Sequence, residues 1–99
     1  MIIFHIVLPE IWTQFESRPS YRTPSLETEG FIHCSYASQL SAVIERYYRD
    51  EHELLILHIE TEKLRSKLIA ETSTAGEVYP HIYGRINRDA IVKVEPRHN

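Results

Sequence analysis

The sequence predicts an α+β protein, a small mixed or split β-sheet carrying short helices. Residues 2–8 (IIFHIVL) and 54–59 (LLILHI) are nearly continuous apolar runs, as in strands covered on both faces. Leu40, Val43, Ile44 and Tyr47 recur at i, i+3, i+4 and i+7, the stripe of an amphipathic helix. Pro, Gly and Ser punctuate the chain between such segments and keep the helices short.

Each element follows in order. Residues 2–8 form the first strand, interrupted only by His5. Pro9 suits a first helical turn, where its missing N–H costs nothing, and Ile11, Trp12 and Phe15 extend a short helix over 9–16. Residues 17–25 (SRPSYRTPS) have turn composition and read as a substrate-facing flap carrying Tyr21 and Arg22. Gly30 precedes a strand over 31–34, and the amphipathic helix is expected over 36–49 with Ser35, or Ser38, as its N-cap. Burying its four apolar side chains at about 1.5–3 kcal/mol each makes this helix an anchor of the core. Residues 54–59 read as a central strand, 61–67 as a short charged helix and 68–71 as a strand ending on Glu71. Residues 78–84 (VYPHIYG) are a stiff aromatic segment, and 90–94 the last strand.

Ninety-nine residues suit one domain over 1–99. With 42% hydrophobic and 25% charged residues, the composition is that of a folded chain. Eleven Lys and Arg against fourteen Asp and Glu leave a net charge of −3, which speaks against a duplex nucleic-acid partner. Cys34, the single cysteine, has no intrachain partner and fits a reducing cytoplasm. No apolar run approaches the ~20 residues of a membrane helix, and residues 1–4 lack the basic start of a signal peptide. The expectation is a cytoplasmic monomer or weak homodimer with no membrane partner.

Six histidines call for explanation. His52 and His98 lie in polar chain and His58 on a polar rim, but His5, His33 and His81 sit within apolar segments, where an unpartnered imidazole costs a few kcal/mol. Either each is satisfied separately in the core, or the three meet in one hollow. Ser35 has two compatible roles, as a helix cap and as part of a strand-to-helix junction whose N–H groups attract phosphate. Neither GxGxxG nor GxxxxGK[ST] occurs, so a nucleotide would rest on this junction and on loop arginines. A Cys34 nucleophile paired with His5 or His81 is the weaker alternative to Cys34 as a small buried hydrophobe. His5, His33, His81 and Glu71 are acceptable zinc ligands by type, but no HExxH or CxxC spacing accompanies them and no metal is assigned.

The block Gly30-Phe31-Ile32-His33-Cys34-Ser35 and the block Tyr79-Pro80-His81-Ile82-Tyr83-Gly84 resemble those of the domain of unknown function 952 family, and the likeness extends over nearly the whole chain. The resemblance implies a compact ADP-ribosyltransferase-like fold with a cleft between the halves of a split sheet. It also implies a small-molecule nucleotide ligand, with NAD as substrate and no resident cofactor. Carried over by position, His5 takes the first-strand role, Ser35 with His33 beside it the second, and Glu71 or His81 the third. Tyr21, Arg22, Tyr83, Gly84 and Arg85 are the ligand-binding candidates, the tyrosines as stacking surfaces. The sequence departs from the family in Ala70, where an aromatic is usual, in Tyr79 for Phe, and in Arg85 for Pro, a cation that either favours a phosphorylated ligand or simply faces solvent. The implied reaction is transfer or hydrolysis at the ribosyl anomeric carbon. The alternatives are a non-catalytic module binding a nucleotide or an RNA end, and a dimerisation partner with a vestigial pocket.

Overall fold

A computed structural model describes residues 1–99. The strands are β1 (Ile2–Val7), β2 (Ser20–Tyr21), β3 (Ile32–His33), β4 (Glu53–Glu60), β5 (Lys67–Thr72), β6 (Val78–Tyr83), β7 (Ile86–Asn87) and β8 (Ile91–His98). Between them lie α1 (Pro9–Trp12), α2 (Ser25–Thr28) and α3 (Leu40–Tyr47), with single 3₁₀ turns at Ala37–Gln39, Thr61–Lys63 and Arg88–Ala90.

Three sheets result, in the orders β1-β4-β8, β3-β6-β5 and β2-β7. Every ladder is antiparallel, which corrects the mixed sheet expected from sequence. Parallel neighbours need a crossover, usually helical, that returns to the same sheet. Here α3 connects β3 to β4, which belong to different sheets, so no such unit forms. The sheet is split: β1 touches the β3 segment through one bridge, where Phe4 N–H donates to Ser35 O at 2.9 Å and Ser35 N–H to Phe4 O at 2.8 Å.

Strand alternation sorts the core into two layers. Ile6, Leu54 and Ile56 pack under Leu40 and Ile44 of α3. On the opposite face, Ile3, Val7, Leu57 and Ile59 pack with Trp12, Tyr21, Ile32, Cys34, Ile82 and Ile86. Residues 2–8 and 54–59 read as doubly covered strands for this reason, and β4 is central as expected. His5 shares the parity of Ile3 and Val7, so its ring enters the larger layer.

The helices differ more from expectation. The segment over 36–49 begins as a 3₁₀ turn and becomes α-helical only at Leu40. Ser35 is not its cap, because its backbone is engaged with β1; Tyr36 occupies that place and its N–H donates to Gln39 Oε1 at 2.9 Å. Tyr47 is 69% exposed; the helix ends there, and Tyr48, leaving the helical conformation, packs on the core instead. The helix expected over 61–67 shrinks to one 3₁₀ turn before β5, and residues 17–25 contain β2 and the start of α2. No helix is long and apolar enough to cross a membrane.

Candidate functional site

Strand pairing brings together residues far apart in sequence. In the β3-β6-β5 sheet His33 lies opposite His81, and His81 opposite Ile69. Because side chains alternate, the face opposite the buried Ile32, Pro80 and Ile82 carries Phe31, His33, Tyr79, His81, Tyr83 and Glu71.

Glu71 is the chemical centre of this face. Its Oε1 accepts from Tyr83 OH at 2.5 Å and from His81 Nδ1 at 2.8 Å, with Oε2 unbonded within the chain. The Tyr83 hydroxyl, and after it His81, hold the Glu71 carboxyl below its usual range, while the same contact raises Tyr83. A carboxylate only accepts, so His81 donates through Nδ1, and its Nε2 has no hydrogen-bond partner within the chain. Phe31 fixes the imidazole, stacking on it at 3.9 Å between centroids and 15° between planes. His33 meets His81 edge-on at 5.5 Å, and its Nε2 donates to Glu29 Oε2 at 3.1 Å. The result is an ionised carboxylate, an oriented imidazole and an aromatic plane on an open sheet surface.

The remaining candidates lie elsewhere. His5 is in the core, not in the hollow expected to hold three imidazoles. Its Nδ1 donates to the His33 backbone carbonyl at 2.7 Å, and its Nε2 accepts from Tyr21 OH at 2.9 Å. Burial lowers its pKa to about 4, so the ring is neutral and both nitrogens are committed. Tyr21 is 2% exposed and packed edge-on or tilted against Trp12, Phe15 and His5, so it supports His5 and offers no face to a ligand ring. The histidines therefore do not gather as metal ligands, and no group of three His, Cys, Asp or Glu side chains does so. Ser35 is buried at the bridge to β1, and the helical segment opens one residue on, with Tyr36 as its cap and Tyr36 N–H donating to Gln39 Oε1. Cys34 is buried among apolar side chains, which pushes its thiol pKa up and away from nucleophilic use. Gly84 serves backbone packing: at φ +152°, an added Cβ would lie 2.5 Å from Ser66 Oγ. Arg22 and Arg85 are exposed at a cavity of about 370 Å³.

Sequence reasoning missed Phe31 and Glu29. Phe31 shares the parity of His33 two residues on, and Glu29 stands four residues before it, a spacing that signals contact only once α2 and β3 are known.

Comparison with known proteins supports the same chain path. No curated protein matches. The crystal structure of CC0527 from Caulobacter crescentus superposes with a TM-score of 0.86 at 23% identity, over 97% of this chain and 85% of that one. Its solution structure gives 0.81 at 23% identity, over 95% and 82%. The family described as "Protein of unknown function (DUF952)" matches residues 6–94, which include both blocks and the whole Glu71–His81–Tyr83 cluster. The chain belongs to that family.

Proposed function

We propose that the protein is a compact relative of the ADP-ribosyltransferase fold. In this reading it binds NAD or another ADP-ribose-bearing nucleotide on the β3-β6-β5 face and acts at the ribosyl anomeric carbon. The observation that carries the reading is Glu71, ionised and held by two donors through one oxygen while the other stays open. Cleaving a glycosidic C–N bond sends the bonding pair to the departing nitrogen and leaves positive charge on the ribosyl carbon and ring oxygen. A fixed carboxylate stabilises that charge as it develops. His81 Nε2 takes the proton of the attacking water or hydroxyl, and Nδ1–H passes charge stabilisation to Glu71. Phe31 and Tyr83 bound the ring that leaves. His5 and Ser35 act as positioning residues, holding β1 against the His33 segment.

Nicotinamide release from NAD tests this. Wild type is expected to release it. Glu71→Gln keeps affinity within about threefold and loses turnover by about 10²–10³, the scale of one electrostatic stabiliser. Equal turnover in both proteins removes the reading. One observation favours the alternative of a non-catalytic nucleotide or RNA-end module: the Phe31–His33 aromatic surface is open, and stacking alone holds a base at about 1–3 kcal/mol. That reading predicts binding without turnover in either protein.

A further inference from the structure

The chain's net charge is −3, yet the cavity beside β2 and β7 is lined by Arg18, Arg22 and Arg85 and by no carboxylate. Its volume of about 370 Å³ falls in the range of small-molecule sites. Register explains the concentration of charge. The β2–β7 ladder pairs Ser20 with Asn87 and Tyr21 with Ile86, and Arg22 follows β2 where Arg85 precedes β7, at the same end of the ladder.

Of the three, only Arg22 has an acidic neighbour within the chain. Arg22 approaches only Glu27, at 3.5 Å, and both side chains are exposed at 48% and 75%, a contact worth little in water. Arg85 is held through its backbone carbonyl, which accepts from Ser66 Oγ, and its guanidinium has no acidic partner. Arg18 donates Nε to Gln14 O at 3.1 Å, which orients the guanidinium and leaves its terminal nitrogens unpaired. The other arginines are occupied: Arg49 by Glu45, Arg65 by Asp89, Arg97 by Glu95, Arg46 over the Tyr47 ring, and Arg88 by the carbonyls of Phe15 and Glu16. Arg18 and Arg85, which have neither an acidic nor an aromatic partner, thus lie at one cavity together with Arg22.

Its walls are also fixed. Arg88 N–H donates to Pro19 O at 2.9 Å, and the Arg88 guanidinium lies 4.9 Å over Trp12, tethering the loop that carries Arg18. Gly84 lets Ser66 approach closely enough to bond Arg85 O.

We infer that this cavity binds a pyrophosphate group, free or as the bridge of a nucleotide. Three guanidiniums require more than one negative charge, and their planar forks match phosphate oxygens two at a time. A monocarboxylate would neutralise one of the three. The inference goes beyond the proposed function, since anion capture here needs no bond to break at Glu71.

Titration calorimetry with inorganic pyrophosphate, orthophosphate, ADP and adenosine tests it at low salt. Pyrophosphate is expected to bind one-to-one, and orthophosphate about tenfold more weakly. Arg18→Gln, Arg22→Gln and Arg85→Gln should each weaken pyrophosphate about tenfold, the worth of one charged hydrogen bond. ADP binding at least as tightly as pyrophosphate assigns the group to a nucleotide; pyrophosphate without ADP assigns the free anion. No saturable pyrophosphate binding up to about 1 mM, unchanged affinity in the Arg22→Gln/Arg85→Gln variant, or adenosine binding as tightly as pyrophosphate would each overturn it. Wild type gives an independent reading if a variant does not fold. Shortening the screening length from ~30 to ~10 Å with salt should weaken pyrophosphate binding, and an affinity indifferent to salt contradicts the site.

Discussion

Both ring nitrogens of His5 are engaged inside the core, and burial holds the folded pKa at about 4 against an ordinary 6.5. The unfolded chain therefore takes up this proton first. Stability is full above pH ~6.5 and falls as pH drops through that value, by about 2 kcal/mol near pH 5, before the folded ring also titrates. Urea midpoints near pH 7 and near pH 5 check this, with His5→Leu expected to flatten the difference; equal wild-type midpoints would place His5 outside the core. Gly84 gives a second prediction at this scale. Gly84→Ala puts a methyl against Ser66 at a positive φ and should cost about 1–3 kcal/mol. A melting temperature lowered by several degrees is expected, and an unchanged one contradicts the close approach. That His33 and His81 would meet was not readable from sequence. Each sits in an ordinary-looking strand, and their contact depends on a register set by the whole β3–β6 pairing. His5 was visible as a buried imidazole in need of partners, but whether those partners were a ligand or Tyr21 depended on how residues 17–25 fold.

Among elements, Gln39 joins the start of α3 to the β5–β6 hairpin. Its Nε2 donates to Val78 O at 2.6 Å and to Glu77 Oε2 at 3.1 Å, while its Oε1 accepts from Tyr36 N–H. Gln39 is 8% exposed, and Gln39→Ala removes all three of these hydrogen bonds and should cost about 2–3 kcal/mol. Hydrogen exchange of Val78 and its neighbours should accelerate with the loss; protection equal to wild type would show the hairpin stands without it. The long strands β1 and β4 were legible because a buried strand reads as an apolar run that few other structures tolerate. The two-residue strands β2 and β7 were not, since two residues carry no period. Their pairing is fixed by Tyr21 and Ile86 entering the core together. Tyr47 misled for a related reason: its spacing extends the stripe of α3 past the point where the helix ends and Tyr48 turns inward.

At the scale of the molecule, two half-sheets are joined by the Phe4–Ser35 backbone bridge and by the His5–His33 hydrogen bond, and the chemically equipped surface lies on one of them. Only Gly84 separates Tyr83, which bonds Glu71, from Arg85 at the basic cavity. The two positions are thus at most ~7 Å apart along the backbone. The family likeness was legible in the blocks at 30–35 and 79–84, whereas the arginine cavity was not, because Arg18, Arg22 and Arg85 converge only through the β2–β7 pairing. The central claim is that a ribosyl nucleotide rests on the Glu71–His81–Tyr83 face. The most direct measurement is a resonance-assigned NMR titration of the protein with ADP-ribose. The account predicts saturable shifts centred on Phe31, Glu71, His81 and Tyr83, absent in Phe31→Ala. Saturation without movement of those four residues, or no shift anywhere up to about 1 mM, would contradict it.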